Sequence, residues 1–143
     1  MTVFNDIISA MVDELQTSPP VSSQIHRARV RPLPENWSDA VVIRISDSQL
    51  EREAIRGAPV DTDTTIVVEC YARHASLSPD VVADALMQVT YARLAENPTL
   101  GGLVAECVLT SLNWNFDTDT DKTACVSMNY LVRHRTHSLT LEQ

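Results

Sequence analysis

The sequence predicts an α+β fold: a mostly antiparallel sheet of four to five strands with two helices packed on one face. The predicted order is helix-strand-strand-strand-helix-strand-strand. Three patterns indicate it: apolar residues recur at helical spacing in two stretches, other stretches alternate between apolar and polar residues, and two long β-rich runs flank an acidic turn. With 143 residues and 44% hydrophobic content, we expect a single domain over residues 1–143, with a core at about 3–135 and a frayed tail at 136–143.

Two segments have the spacing of helices. Residues 3–16 place Phe4, Ile7, Ile8, Met11, Val12 and Leu15 on one side, and the prolines at 19 and 20 end the segment. The second helix begins at Ser78-Pro79-Asp80, where the serine side chain can accept from a free backbone N–H and proline fits the first turn. We expect this helix to run to about Glu96 and to bury Val81, Val82, Ala85, Leu86, Val89, Ala92 and Leu94.

Strands are predicted at residues 24–31, 40–46 and 64–73, where side chains alternate with a period of two. In the first of them one face is cationic and carries Arg27, Arg29 and Arg31. Residues 47–63 are polar, and we interpret them as a mobile excursion between two strands.

The runs at 103–116 and 122–135 predict a terminal antiparallel hairpin. The second run has one clean inner face, made of Ala124, Val126, Met128, Tyr130 and Val132. In the first run two sets compete for the inside, which indicates a bulge or twist: Leu103, Cys107 and Leu109 against Leu112, Trp114 and Phe116.

The turn at 117–121 is the most tempting chemical site, because Asp117, Asp119 and Asp121 resemble the opening of a calcium-binding loop. Lys122 stands where that loop needs glycine, and Met128 stands where it needs a bidentate glutamate. A solvated turn is therefore the first interpretation, and a weak divalent-cation site, completed by another subunit, is the second.

Composition excludes several classes of function. The formal net charge of −8 opposes nucleic acid as the main partner, and three glycines leave no phosphate-binding loop. The first twenty residues contain neither a signal peptide nor a membrane span, so we expect a cytoplasmic protein with reduced cysteines at 70, 107 and 125. No residue set supports nucleophilic catalysis, and we expect neither enzymatic activity nor a cofactor.

The order of elements resembles the tail terminator proteins of long-tailed, lambda-like phages and prophages. The likeness is carried by residues 51–63 leading into Thr65-Ile66-Val67-Val68-Glu69-Cys70-Tyr71, and by the hairpin Asn113-Trp114-Asn115-Phe116-Asp117-Thr118-Asp119 with Met128-Asn129-Tyr130-Leu131-Val132. The resemblance implies a subunit of a hexameric ring that caps the tail tube, ends its polymerisation and offers a face to head-completion proteins. It implies location in the host cytoplasm and, in an intact phage, in the virion tail.

Charged residues of the excursion are our candidates for a subunit interface, namely Arg52, Arg56, Asp61 and Asp63. The arginine row of residues 27, 29 and 31 is a second candidate, with a solvated strand face as its simpler interpretation. Three alternatives stay open: a neck or tail-completion protein of similar fold, a small-molecule-binding or enzymatic α+β domain, and an adaptor that adds a peptide strand to a sheet edge.

Overall fold

A computed structural model describes residues 2–28, 37–51, 59–73, 78–116, 123–136 and 141–142. The elements are α1 (Val3–Gln16), β1 (Ile25–Arg27), β2 (Asp39–Glu51), β3 (Val60–Arg73), α2 (Pro79–Ala95), β4 (Glu106–Phe116) and β5 (Thr123–Thr136). The predicted α+β class and element order are confirmed. The predicted helix at residues 3–16 is confirmed with the same bounds.

All five strands form one sheet in the order β1-β2-β3-β5-β4. β1 runs parallel to β2, and the other three neighbouring pairs are antiparallel. Both helices pack on the same face, α1 over β1 and β2 and α2 over β3 and β5. We call this the helix face of the sheet and the opposite side its outer face.

The core lies between the helices and the three central strands. Alternate residues of β3 and β5 point into it, which follows from the two-residue period of a strand. The predicted inner face of the last strand is confirmed, since its five residues are all buried: Ala124, Val126, Met128, Tyr130 and Val132. They belong to the same core cluster as four fully buried residues of α1, namely Val3, Ile7, Met11 and Leu15.

The prediction of a mobile excursion at residues 47–63 is wrong at both ends of that segment, which belong to strands. β2 continues to Glu51 and β3 begins at Val60, so the two strands form a long antiparallel hairpin in which Asp47 pairs with Thr65 and Glu51 pairs with Asp61. The strand persists through polar sequence because its helix-face positions are filled by Thr62 and Thr64, which are buried. Residues 52–58 lie outside the described part of the chain.

β1 is shorter than predicted and ends at Arg27 instead of residue 31. Ala28 has a φ of 46°, in the left-handed region that strands do not use, although its N–H still donates to the Ile43 carbonyl at 2.9 Å. Residues 29–36, with Arg29 and Arg31, lie outside the described residues.

α2 has the predicted bounds but buries a different side. Its buried residues are Ala83, Leu86, Thr90 and Leu94, whereas Val81, Ala85, Val89 and Ala92 are exposed. The predicted wide apolar side is confirmed at Leu86 and Leu94 and is wrong at the four exposed residues. Apolar residues lie on nearly all sides of this helix, so its sequence does not indicate which side meets the sheet. The Ser78 hydroxyl donates to the Asp80 carboxylate and does not cap the backbone as expected.

The predicted bulge is present in β4. Leu109 pairs with Tyr130 and Ser111 pairs with Asn129, so Thr110 is an additional residue in the ladder. Its hydroxyl donates to the Asn129 carbonyl at 3.0 Å. The extra residue reverses the alternation, so Cys107 and Leu109 face the same side of the sheet as the second competing set. Leu103, the remaining member of the first set, precedes β4.

The last residues of β5 are held in the fold. His134 lies in β5 and is only 4% exposed, and Thr136, the first residue of the expected tail, is also buried in β5. Thr136 pairs with Val60, and the Val3 N–H donates to the Leu141 carbonyl at 2.9 Å. In the described residues, no helix is long and apolar enough to cross a membrane.

Candidate assembly surfaces

The far end of β4 carries a row of large apolar side chains that nothing in the described chain covers. Leu112, Trp114 and Phe116 are 38%, 43% and 51% exposed. They pair with Met128, Val126 and Ala124 of β5, which are buried beneath the helices, so the row lies on the helix face. We call these three residues the β4 row.

The position of α2 explains this exposure. The helix lies over β3 and β5, and β4 is the edge strand beyond β5. From Ser111 to Phe116 every residue of β4 is exposed, on both faces of the sheet. This segment contains no charged residue and no proline, which natural edge strands use to prevent association. It is an unprotected edge.

A second apolar surface lies on α2, on the side turned away from the sheet. Val81, Ala85, Val89 and Ala92 are spaced by four, four and three residues, which places them on one side of a helix. Val81 is 59% and Val89 is 48% exposed. We call these four residues the α2 stripe. Sequence patterning found these residues but assigned them to the core.

The outer face of the sheet is charged near the β2–β3 hairpin. Asp61 accepts a hydrogen bond of 2.8 Å from the Arg135 guanidinium. The Arg133 guanidinium lies 3.3 Å from the Asp63 carboxylate and 3.1 Å from the Glu106 carboxylate. The hydrogen bond from the Arg135 guanidinium lowers the pKa of the Asp61 carboxyl from its usual range. We call these five residues the ion-pair ladder. Its register follows from the pairing of β3 with β5, which sets Asp61 and Asp63 each opposite an arginine, and from the pairing of β4 with β5, which sets Glu106 opposite Arg133.

A cavity of about 490 Å³ opens beside the ladder. Its lining includes Glu51, Asp61, Asp63, Arg133 and Arg135. The Asp61 carboxyl, whose pKa is lowered by the hydrogen bond from Arg135, is held in the ionised form, which suits charge pairing better than proton donation.

The interface residues predicted from sequence fall in two separate places, as far as they belong to the described part of the chain. Asp61 and Asp63 lie in the ladder, where each has an arginine of the same chain as its partner. Arg27 is on the helix face and donates to Asn5 at 2.8 Å and to Ser9 at 3.3 Å on α1. Arg52 and Arg56 lie outside the described residues, as do Arg29, Arg31, Asp117, Asp119 and Asp121.

A buried polar cluster beneath α1 was missed by the sequence analysis. Ser48 and Thr64 share a hydrogen bond of 2.9 Å, and Thr64 shares one of 2.8 Å with Nε2 of His134. Phe4 packs edge-on against the His134 ring, with centroids 5.3 Å apart. Nδ1 of His134 is buried and has no hydrogen-bond partner among the described residues. The available signal was the position of these residues in phase with the apolar inner face.

Burial lowers the pKa of His134 from its ordinary value, although the Asp63 carboxylate acts in the opposite direction. The imidazole is therefore held neutral near pH 7. The cluster packs against Phe4 of α1 and makes a structural contribution to the fold.

The three cysteines are free thiols. Burial raises the pKa of Cys70 to about 12 and the pKa values of Cys107 and Cys125 to about 11, which makes them poor nucleophiles. Among the residues that the structure describes, no three His, Cys, Asp or Glu side chains form a group that could hold a metal ion.

Comparison with solved structures gives a likeness in backbone course. No protein-family model and no curated protein sequence matches the chain. A chain of the virion of the native gene transfer agent (GTA) particle is similar in backbone course, with a TM-score of 0.49 and 10% sequence identity over 89% of this chain and 92% of that chain.

Proposed function

We propose that this protein is a structural subunit of a phage or prophage tail, a tail terminator that forms a ring on the tail tube and ends its polymerisation. The observation that carries the proposal is the β4 row: three large apolar side chains on an uncharged, unprotected sheet edge. Such an edge is typical of a chain whose working state includes a neighbouring subunit.

The size of the β4 row supports an assembly role. Trp114 and Phe116 are each about half exposed, which leaves roughly 100 Å² of each aromatic side chain in contact with water. Together with Leu112 the row reaches roughly 300 Å², the size of the functional patches that monomers carry. The order of elements, which resembles that of tail terminators, supports the more specific assignment.

In this proposal the protein acts by shape and charge and makes or breaks no bond. Its partners are further copies of itself in a hexamer, the tail-tube protein and a head-completion protein. It recognises no nucleic acid directly and contacts no membrane. It needs no cofactor, works in the cytoplasm of the bacterial host, and stays in the virion tail when the phage is intact.

Tube polymerisation tests the proposal. The tail-tube protein of the same genome is polymerised with and without this chain, and tube lengths are measured by electron microscopy. We expect shorter tubes with this chain at their ends, and sedimentation should show a ring. Unchanged tube lengths would refute the terminator role. Binding to the head-completion protein without an effect on tubes would favour the neck protein instead.

The turn at 117–121 remains a proposed weak site for a divalent cation. The ring mass is compared with and without Mg²⁺ or Ca²⁺, in the parent chain and in a variant with Asp117, Asp119 and Asp121 changed to Asn. A cation effect that this variant abolishes would support the site. Identical masses in all conditions would exclude a role in assembly.

The cavity beside the ion-pair ladder favours a second candidate, a small-molecule-binding domain. Its lining has three acids against two arginines, with Glu51 added to the paired Asp61 and Asp63, so a cationic ligand fits best. Calorimetry with small organic cations tests this candidate. Binding that Glu51→Gln and Asp63→Asn abolish would support it, and no measurable heat would remove it.

A further inference from the structure

The chain carries two exposed apolar surfaces in different places. The β4 row lies on the helix face at the edge of the sheet, and the α2 stripe lies on the opposite side of α2 from the sheet. The two surfaces therefore do not cover each other within one copy. We propose that the β4 row of one copy packs against the α2 stripe of the next. This inference rests on the proposed ring and identifies its subunit contact.

The spacing of the two surfaces is compatible. Residues two apart on a strand are about 6.7 Å apart, which is the repeat along the β4 row. Residues four apart on a helix rise by about 6 Å, which is the repeat of Val81, Ala85 and Val89. A helix laid on the β4 row would thus set an aliphatic side chain near each gap between Leu112, Trp114 and Phe116. In each copy, α2 already forms a helix layer over β3 and β5. The α2 helix of the neighbouring copy would continue this layer to the edge of the sheet.

Charge also permits the contact. Neither surface contains an ionisable residue, and Gln88, which lies on the same side of α2 as the stripe, is neutral. The side chains between members of the β4 row are Asn113 and Asn115. The centre of the contact therefore places no like charges against each other, and the exposed acids Asp84 and Glu96, which border the stripe on α2, fall at its rim.

The apolar area of the β4 row is large enough for the central part of a subunit interface, but not for the whole of it. The β4 row contributes roughly 300 Å², whereas a stable interface buries about 800 Å² on each partner. The apolar rows thus supply the dry centre, and the polar surroundings of both surfaces supply the rim. Tyr91, which is 48% exposed on α2, is a candidate for that rim.

A contact between two different surfaces makes the assembly head-to-tail. Each copy uses its β4 row towards one neighbour and its α2 stripe towards the other, which closes a ring if the rotation between copies permits it. A symmetric contact between two β4 edges would leave both α2 stripes exposed. The head-to-tail contact covers both surfaces with one interaction, and for this reason we favour it.

Two variants test this contact separately from each side. Val89→Asp blocks the stripe, and Trp114→Asp blocks the row. Phe116→Asp replaces the second variant if circular dichroism shows Trp114→Asp to be unfolded. Ile45→Asp is the matched control, because Ile45 is 39% exposed on the helix face of β2, which is separated from β4 by the two strands β3 and β5. Each purified variant is examined alone and in mixtures by sedimentation velocity.

We expect either variant alone to be a folded monomer, with association weakened by roughly 30-fold as for the loss of an interface hot spot. The mixture of the two variants has one intact row facing one intact stripe, so it should form a 1:1 dimer and nothing larger. Ile45→Asp should form the same assembly as the unmodified chain.

The other outcomes separate this contact from the proposed function. Self-association of Val89→Asp without help from the second variant would overturn the head-to-tail contact and indicate paired β4 edges. If Val89→Asp alone and Trp114→Asp alone still form the ring, the proposed contact is wrong, but the terminator role is unaffected. An unmodified chain that stays monomeric would overturn both, while a ring built through this contact with no effect on tube length would overturn only the terminator role.

Discussion

At the scale of single residues, His134 links folding stability to pH. In the folded chain burial lowers its pKa below the ordinary value of about 6.5. As the pH falls below about 6.5, the unfolded chain takes up a proton that the folded chain does not. The free energy of unfolding therefore decreases between that pH and the folded-state pKa, by at most about 1.4 kcal/mol per pH unit from this group. Above that window the effect is absent.

We expect His134→Gln to remove this acid-side loss while lowering stability at neutral pH, since glutamine lacks the ring that packs on Phe4. Urea unfolding at a series of pH values measures the slope. His26→Gln serves as the control because it keeps His134; His26 is partly exposed, lies on β1 and stacks on Trp37. If the slopes of His134→Gln and the unmodified chain coincide, the buried imidazole is not the titrating group.

At the scale of elements, the bulge at Thr110 determines which face β4 presents. Removing Thr110 leaves a regular ladder in which no neighbouring side chain changes face: Leu109 and Leu112 still face the helices, and Ser111 still faces out. We expect the deletion to leave the fold intact and to cost about 1 kcal/mol for the lost hydrogen bond to Asn129. Thermal unfolding measures this cost.

Deletion of Ser127 is the matched control for the bulge. β5 has an uninterrupted alternation and no spare residue, so this deletion turns either Val126 or Met128 away from the core. The control should not fold cooperatively. A Thr110 deletion as damaging as the Ser127 deletion would mean that the bulge supplies more than register.

The same alternation explains what the sequence could predict. The inner face of β5 alternates cleanly, and the competing sets in β4 can share one face only through an extra residue, so both features were readable from pattern. The extension of β2 and β3 was not, because Ser48 and Thr62 occupy helix-face positions and have the appearance of loop residues. α2 could not be oriented, because Val89 and Leu86 are equally apolar and only packing separates the exposed one from the buried one.

The candidate surfaces were predictable only in part. Asp61 and Asp63 were identified as charged surface residues, but their pairing with Arg135 and Arg133 depends on the register of β3 against β5, which connects residues more than sixty positions apart. The β4 row was visible as an apolar set. The row is exposed because α2 lies over β3 and β5 and not over β4. The position of a helix on a sheet cannot be predicted from a local sequence pattern.

At the scale of the whole molecule, the net charge of −8 opposes the association of copies. Because the proposed contact is apolar, salt should screen this repulsion without weakening the contact itself. Raising the salt concentration from 0.1 M to 1 M shortens the screening length from about 10 Å to about 3 Å. We expect the association constant of the unmodified chain, measured by sedimentation velocity, to rise over this range, while Trp114→Asp stays monomeric throughout. An association constant that falls with salt would indicate that ion pairs between subunits, and not the β4 row, hold the assembly together.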